Sequence, residues 1–213
     1  DDARLVHEGD GWLNVTGWSP DDERLAVLQS HSNFDQDVYV LDLATGSLDH
    51  VTPHEGDVRY GSVTWGPDGE ALYLVTDDGA DPTSPARLDP ATGDLATVEE
   101  GGDWNVDGVA IDHDTGRVVY ARNVDGYTDL TVGDVDGATI HEHPSPDLPK
   151  GVAGGVSFDP DAERFAVTVT ASSDNANVHV VDVATGEAER WTRASTAGIP
   201  RDRFVEPDRK SVV

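Results

Sequence analysis

The chain has 213 residues with no cysteine and no methionine, and it carries 42 acidic against 14 basic residues for a net charge of −28. That length suits one large all-β domain with a real core. The missing thiols exclude disulfides and thiolate metal sites, and so negative a surface would repel a phosphate backbone, which excludes nucleic acid as a partner.

Taken in chain order, residues 1–12 (DDARLVHEGDGW) read as the end of a preceding unit, comparable with GSLDHVTPHEGD and GDLATVEEGGDW further on. The first full unit, 13–56, has the turn Trp18-Ser19-Pro20-Asp21-Asp22, then Leu25-Ala26-Val27-Leu28. Its next apolar run, Val38-Tyr39-Val40-Leu41, ends at Asp42-Leu43-Ala44-Thr45-Gly46. The second, 57–102, repeats this as Trp65-Gly66-Pro67-Asp68-Gly69, Ala71-Leu72-Tyr73-Leu74-Val75 and Asp89-Pro90-Ala91-Thr92-Gly93. The third, 103–149, has Ile111-Asp112-His113-Asp114-Thr115, Val118-Val119-Tyr120-Ala121 and a shortened Asp134-Val135-Asp136-Gly137. The fourth, 150–198, has Phe158-Asp159-Pro160-Asp161-Ala162, Phe165-Ala166-Val167-Thr168-Val169, Val178-His179-Val180-Val181 and Asp182-Val183-Ala184-Thr185-Gly186, followed by a more polar run over 187–192.

The first turns of the four units stand 47, 46 and 47 positions apart. The apolar runs are β-branched and aromatic, too short for buried helices, and bounded by Gly, Asp and Pro, so they predict strands. The glycine of Asp-x-Ala-Thr-Gly supplies the positive φ of a tight hairpin. Four antiparallel strands in a unit of about 45 residues describe a β-propeller blade, which buries its faces only by stacking on its neighbours. A β-sandwich is the alternative, but it has no reason to keep two turn motifs in step. The expected fold is therefore an all-β propeller spanning 1–207: four full four-stranded antiparallel blades, the end of a preceding one at 1–12, and a place within a larger ring. Open sheet edges in such an arc lead to an expectation of self-association.

The acidic residues are spread evenly, 11, 11, 10 and 10 over 1–50, 51–100, 101–150 and 151–213, and Lys150 and Lys210 are the only lysines. A patch for a basic partner would be localised. An even coat instead suits a saline cytoplasm, since at about 1 M salt the screening length falls to about 3 Å and self-repulsion fades. No apolar stretch is long enough to span a membrane and no secretory leader opens the sequence, so a cytoplasmic protein without membrane contact is expected.

No GxSxG, HExxH or complete EF-hand loop is present. His141-Glu142-His143 offers two imidazoles from one side of a strand, without a third ligand in view, and reads as an exposed outer strand. Asp134-Val135-Asp136-Gly137 and Asp112-His113-Asp114-Thr115-Gly116 resemble pieces of calcium loops and are assigned to turns. Trp18, Trp65 and Phe158 are expected to wedge between blades, with Ile111 in that place in the third unit. Asn175 and Asn177 are expected in a solvated loop. No catalytic, cofactor-binding or metal-ligating residue is assigned, and no cofactor is expected.

Residues 120–130, Tyr120-Ala121-Arg122-Asn123-Val124-Asp125-Gly126-Tyr127-Thr128-Asp129-Leu130, resemble the N-x-DG-x-x-x-L strand pair in propellers of prolyl oligopeptidase-family serine peptidases, of the dipeptidyl aminopeptidase and acylaminoacyl peptidase types. After them come GGVSFDPDAERFAVTVTASSDNANVHVVDVATGEAERWT and then Phe204-Val205-Glu206-Pro207, in that family's order. The resemblance covers 13–207. It implies that 199–207 is an exit linker to an α/β-hydrolase domain holding the serine, histidine and aspartate, none of which lies in this sequence. The portion at hand would be a noncatalytic propeller that gates access of short peptides to that partner domain. TolB-like propellers share the blade turns, so a stand-alone protein-binding module is the alternative. A complete propeller enzyme lacks a convergent ligand set. The tail 208–213 shows no kinship to any blade and is expected to be truncated or non-native; GATCGGAAGAGCGTCGTG, a common sequencing adapter, translates to the same six residues.

Overall fold

The computed structural model describes residues 3–79, 81–99, 102–200 and 203–204. The expectations for Val205, Glu206, Pro207 and 208–213 lie outside the described residues. Four four-stranded antiparallel sheets follow one another along the chain. Sheet 1 holds β1 (Leu13–Trp18), β2 (Arg24–Ser30), β3 (Gln36–Asp42) and β4 (Leu48–His50). Sheet 2 holds β5 (Tyr60–Trp65), β6 (Leu72–Thr76), β7 (Ser84–Leu88) and β8 (Leu95–Thr97). Sheet 3 holds β9 (Val106–Ile111), β10 (Arg117–Val124), β11 (Tyr127–Asp136) and β12 (Thr139–Glu142). Sheet 4 holds β13 (Val152–Phe158), β14 (Arg164–Ala171), β15 (Asp174–Asp182) and β16 (Ala188–Arg190). Strand order within each sheet is sequential, as in a propeller blade.

The cores lie between consecutive sheets. Ala26, Val38 and Val40 of sheet 1 meet Trp65, Leu72, Leu74 and Leu88 of sheet 2. Ala71 and Tyr73 of sheet 2 meet Ile111 and Val118 of sheet 3, with Val75, Val106 and Tyr120 alongside. Val119, Leu130 and Val132 of sheet 3 meet Phe165, Val167, Val169 and Val181 of sheet 4. A sheet covered on both faces needs no alternation of polar and apolar residues, and all five residues of β6 are buried. This serial stacking distinguishes the fold from a two-layer sandwich.

The first strand of each later sheet makes the joint: β5 touches β1, β2 and β3, β9 touches β5, β6 and β7, and β13 touches β10 and β11. Each first strand carries an irregularity in its ladder, after Val15, after Gly61, at Asp107 and after Gly154. Bulges of this kind bend a strand and increase its twist. Among the described residues no helix is long and apolar enough to cross a membrane.

The repeated motifs form two kinds of turn. In Asp42-Leu43-Ala44-Thr45-Gly46 the Thr45 amide and hydroxyl both donate to Asp42 Oδ1 at 2.7 Å, and Gly46 has φ 75°. Asp182 and Thr185 repeat the pattern at 2.9 Å. The third sheet departs from the others: the same cap appears between β9 and β10, where Thr115 donates to Asp112 Oδ1 at 3.0 and 2.7 Å and Gly116 has φ 75°. Asp112-His113-Asp114-Thr115-Gly116 thus stands where the other units have their Pro or Gly-Pro turn but folds as the Asp-x-Ala-Thr-Gly type.

Gly186 tests this turn. Its φ is 74°, and a Cβ there would lie 2.5 Å from the Ser145 carbonyl oxygen. Gly186→Ala is expected to destabilise by about 2 kcal/mol or more, from left-handed strain plus a backbone clash. A Cβ at Gly154 meets nothing within 4 Å, so Gly154→Ala should leave stability within about 0.5 kcal/mol or raise it. Urea unfolding of both variants in molar NaCl checks the pair.

Candidate functional site

A hollow lined by the bulged first strands and a polar cluster are the candidate places, larger hollows of about 380 and 270 Å³ lying beside Leu130 and Leu148 and beside Tyr60 and Leu88. The first is a hollow of about 230 Å³ lined from β5, β9, β10 and β13. Its walls are Ser62, Asp107, Gly108, Ala153, Gly154 and Gly155, with Val109, Val119 and Val156 behind them. The bulged strands carry small residues there, which leaves the space open. Ser62 sits at φ 50° and offers a hydroxyl, but no histidine lines the hollow. Among the described residues no hydrogen bond links the Ser62 hydroxyl to a histidine or carboxylate there, so the hollow shows no assembled nucleophile–base pair.

The second is a histidine–carboxylate cluster beside the joint of sheets 1 and 2. Asp37 stands on β3, His50 ends β4, His31 follows β2, and His54 lies on the link to β5. The Nε2 atoms of His31, His50 and His54 lie 2.8, 2.9 and 3.2 Å from the Asp37 carboxylate. His50 stacks on Tyr39 at 4.6 Å between ring centroids. His54 is also 3.2 Å from the Gln36 carbonyl oxygen through Nε2 and 3.0 Å from the Gly56 carbonyl oxygen through Nδ1. Both its ring nitrogens thus face oxygen atoms of the protein. Among the described residues no group of three His, Cys, Asp or Glu is arranged to hold a metal ion. Nor does any hydroxyl there hydrogen-bond to His31 or His50, so the dyads lack the third member of a triad.

Partial burial pushes the Asp37 carboxyl upward, but hydrogen bonds from His31 and His50 and the fields of His50 and His54 outweigh it and hold the group below its usual 3.8. A depressed carboxyl stabilises the fold above its ordinary value and loses that contribution as pH falls through the lowered one. Asp37→Asn is therefore expected to cost about 1–2 kcal/mol at pH 7. The difference from the parent chain should shrink once the pH drops below 3.8. Urea unfolding of both chains at pH 7 and pH 3 measures it.

Nearby, the Tyr60 hydroxyl donates to Asp78 at 2.8 Å, and burial together with that carboxylate raises its pKa above the usual 10.0. Tyr120, whose hydroxyl bonds to Glu99, is pushed up to about 12, by burial first and then by Glu99. Both phenols stay protonated near neutrality and serve as donors rather than bases.

The residues singled out by sequence fall as follows. Trp65 is fully buried between sheets 1 and 2, and Phe158 and Ile111 pack into the following joints. Trp18 corrects the expectation that it wedges between blades: it is 55% exposed, because among the described residues no sheet covers the face of sheet 1 turned away from sheet 2. His143 goes to Asp134 at 2.9 Å, sharing that carboxylate with Arg117 at 2.7 Å. His141 is 3.9 Å from Asp136 and exposed. Asp134 is therefore an ion-pairing strand residue, and the turn itself is confined to Gly137 and Ala138, between the paired Asp136 and Thr139.

Asn175 and Asn177 are also corrected. Both lie on β15 rather than in a solvated loop. Asn175 donates to the Ser195 carbonyl oxygen at 2.6 Å, and buried Asn177 accepts from the Ala194 amide at 2.7 Å. Together they pin the segment leaving sheet 4. The histidine cluster was not anticipated. Its trace is the register that sets His50 opposite Tyr39, two residues from Asp37 and on the same face.

No protein-family model matches the chain, and no curated protein does. Solved structures do resemble it. One, from a structural and mechanistic study of two prolyl endopeptidases, superposes with a TM-score of 0.72 at 19% identity, over 87% of this chain and 27% of that one. TolB from Acinetobacter baumannii superposes with a TM-score of 0.61 at 18% identity, over 87% of this chain and 44% of that one. At these identities the likeness shows the β-propeller fold. The chain spans less than half the length of either.

Proposed function

We propose that the chain is the noncatalytic propeller portion of a serine peptidase, limiting by size which peptides reach an α/β-hydrolase domain outside this sequence. The observation that carries this reading is the likeness to a prolyl endopeptidase over 87% of the chain, joined to the resemblance of residues 120–130. The structure suits the role in one way: apolar joints hold consecutive sheets together as a stiff wall. A size filter of this kind needs rigidity and a moving boundary, not a reactive side chain. We further propose that the protein works in a saline cytoplasm, on the strength of its evenly spread charge.

The test is to sequence the natural reading frame past Pro207 and express it whole. A GxSxG-bearing domain is expected downstream, with cleavage of short peptides and sparing of folded proteins. The chain alone should not hydrolyse peptidyl chromogenic substrates. The likeness to TolB favours a second reading, a protein-binding module, and a frame that stops soon after Pro207 without a hydrolase domain would select it.

A further inference from the structure

Residues 51–59 carry the chain from β4 across to β5, and the turn in this link closes around His54. Its Nδ1 lies 3.0 Å from the Gly56 carbonyl oxygen, and its Nε2 lies 3.2 Å from both the Gln36 carbonyl oxygen and the Asp37 carboxylate. The side chain is 11% exposed, and its ring stands 5.9 Å from that of Tyr60. All three oxygens accept hydrogen bonds and none donates, since Asp37 is held ionised. A neutral imidazole carries one N–H and one lone pair, so at one nitrogen or the other it would turn that lone pair on an acceptor. An imidazolium donates from both.

Asp35 points the same way. Its Oδ1, 3.6 Å from His54 Nε2, is buried without a hydrogen-bond partner. A carboxylate oxygen withdrawn from water needs a positive charge beside it, and His54 is placed to supply one. The surrounding elements hold other charged and titratable groups. His31 after β2 and His50 on β4 are turned to Asp37 through Nε2, and Tyr39 on β3 stacks on His50. Tyr60 on β5 donates to Asp78 beyond β6. The Arg59 guanidinium is paired with Asp77 at 2.6 Å. Glu55 and Asp57 flank His54 on the link and are exposed.

We infer that His54 is the imidazolium in the folded chain near neutral pH, and that its proton is a latch holding the link to the loop between β2 and β3. The latch sits on the joint of sheets 1 and 2, because Gln36 fastens both sides of it. The Gln36 amide donates to the Val58 carbonyl oxygen at 3.0 Å, and its Oε1 accepts from the Tyr60 amide at 3.2 Å. Loss of the His54 proton sets a lone pair against an oxygen and leaves the buried Asp35 oxygen without its counter-charge, so the link is the first part of the joint to release. Only the protonated ring makes both contacts. The latch is therefore closed in mildly acid and neutral solution and opens as the pH rises. Toward acid it persists until Asp37, held below its usual 3.8, takes up a proton.

Proton–nitrogen correlation spectra of the histidine rings in the intact chain test this, in 3 M NaCl so that the field of the −28 net charge is screened. At pH 7.5 both His54 nitrogens are expected at imidazolium positions, not at the one protonated and one bare position of a neutral ring. The signals are assigned through bonds, so this reading needs no variant. Amide hydrogen exchange gives the second reading. From pH 7 to pH 9, corrected for intrinsic rates, protection over 51–60 should fall about tenfold or more while that over β6 holds. His54→Lys stays charged across this range and should keep its protection, whereas His54→Gln should lack it at both pH values. A neutral His54 ring at pH 7.5, protection over 51–60 indifferent to pH, or an equal fall in His54→Lys would each overturn the inference.

Discussion

Trp65→Ala is expected to destabilise the protein by about 3–5 kcal/mol, the range for emptying a fully buried aromatic site. Its ring fills the joint of sheets 1 and 2 at 0% exposure, and removal opens a cavity that neighbouring backbone ladders hold apart. The Arg24 guanidinium, 4.7 Å above the ring, loses its aromatic partner at the same time. Trp65→Phe should recover much of the loss, because the indole Nε1 is buried without a hydrogen-bond partner and phenyl leaves no orphan donor. The informative comparison is Trp18→Ala. Trp18 occupies the same place in its repeat and is 55% exposed, so its removal from the monomer should stay within about 0.5 kcal/mol. The difference between the two variants, read by urea unfolding in molar salt at low protein concentration, measures what one flanking sheet contributes. Equal effects would refute stacking as the source of stability.

That comparison also marks how far the sequence carries. The period and the two turn motifs determine the strands, because turn chemistry is local: Asp42 and Thr45 find each other within four residues wherever the chain goes. Burial is not local. Trp18 and Trp65 look alike in sequence and differ only in whether a sheet lies beyond them. The third unit shows a subtler limit, since Asp112 and Thr115 supply an Asp-Thr-Gly cap at a position where alignment implied the other turn. Asn177 reads as a loop residue from its polar neighbours, yet its carbonyl oxygen is needed by the Ala194 amide, a partner that only the path of the exit segment reveals. The histidine cluster draws one residue from a turn, two from adjacent strands and one from a link. Its charge pattern is invisible until the β3–β4 register is known.

The thermal midpoint should rise steeply with NaCl from 0.1 M upward, by about 10–20 °C by 3 M. The chain carries a net charge of −28, and its arginines neutralise only part of it through pairs such as Arg59–Asp77, Arg122–Glu99 and Arg190–Asp174. Protonation offers no relief near neutral pH. Hydrogen bonds from Thr45 hold Asp42 below its usual 3.8, Ser19 does the same for Asp21, and the Arg164 amide for Asp159. The turn caps that define the fold therefore also fix negative charge on its surface. A repulsion of only about 5 kcal/mol would match the whole stability of a marginal domain, and about 2–4 °C per kcal/mol converts its removal into the expected shift. Screening is nearly complete at about 1 M, where the Debye length is about 3 Å, whereas strengthened apolar burial by excluded solutes continues beyond that point. Sucrose separates the two effects, since it favours burial without ions and should leave a low-salt sample far below the midpoint reached in NaCl. A midpoint flat from 0.1 to 3 M would leave the even coat of carboxylates without the salt-adapted role assigned to it.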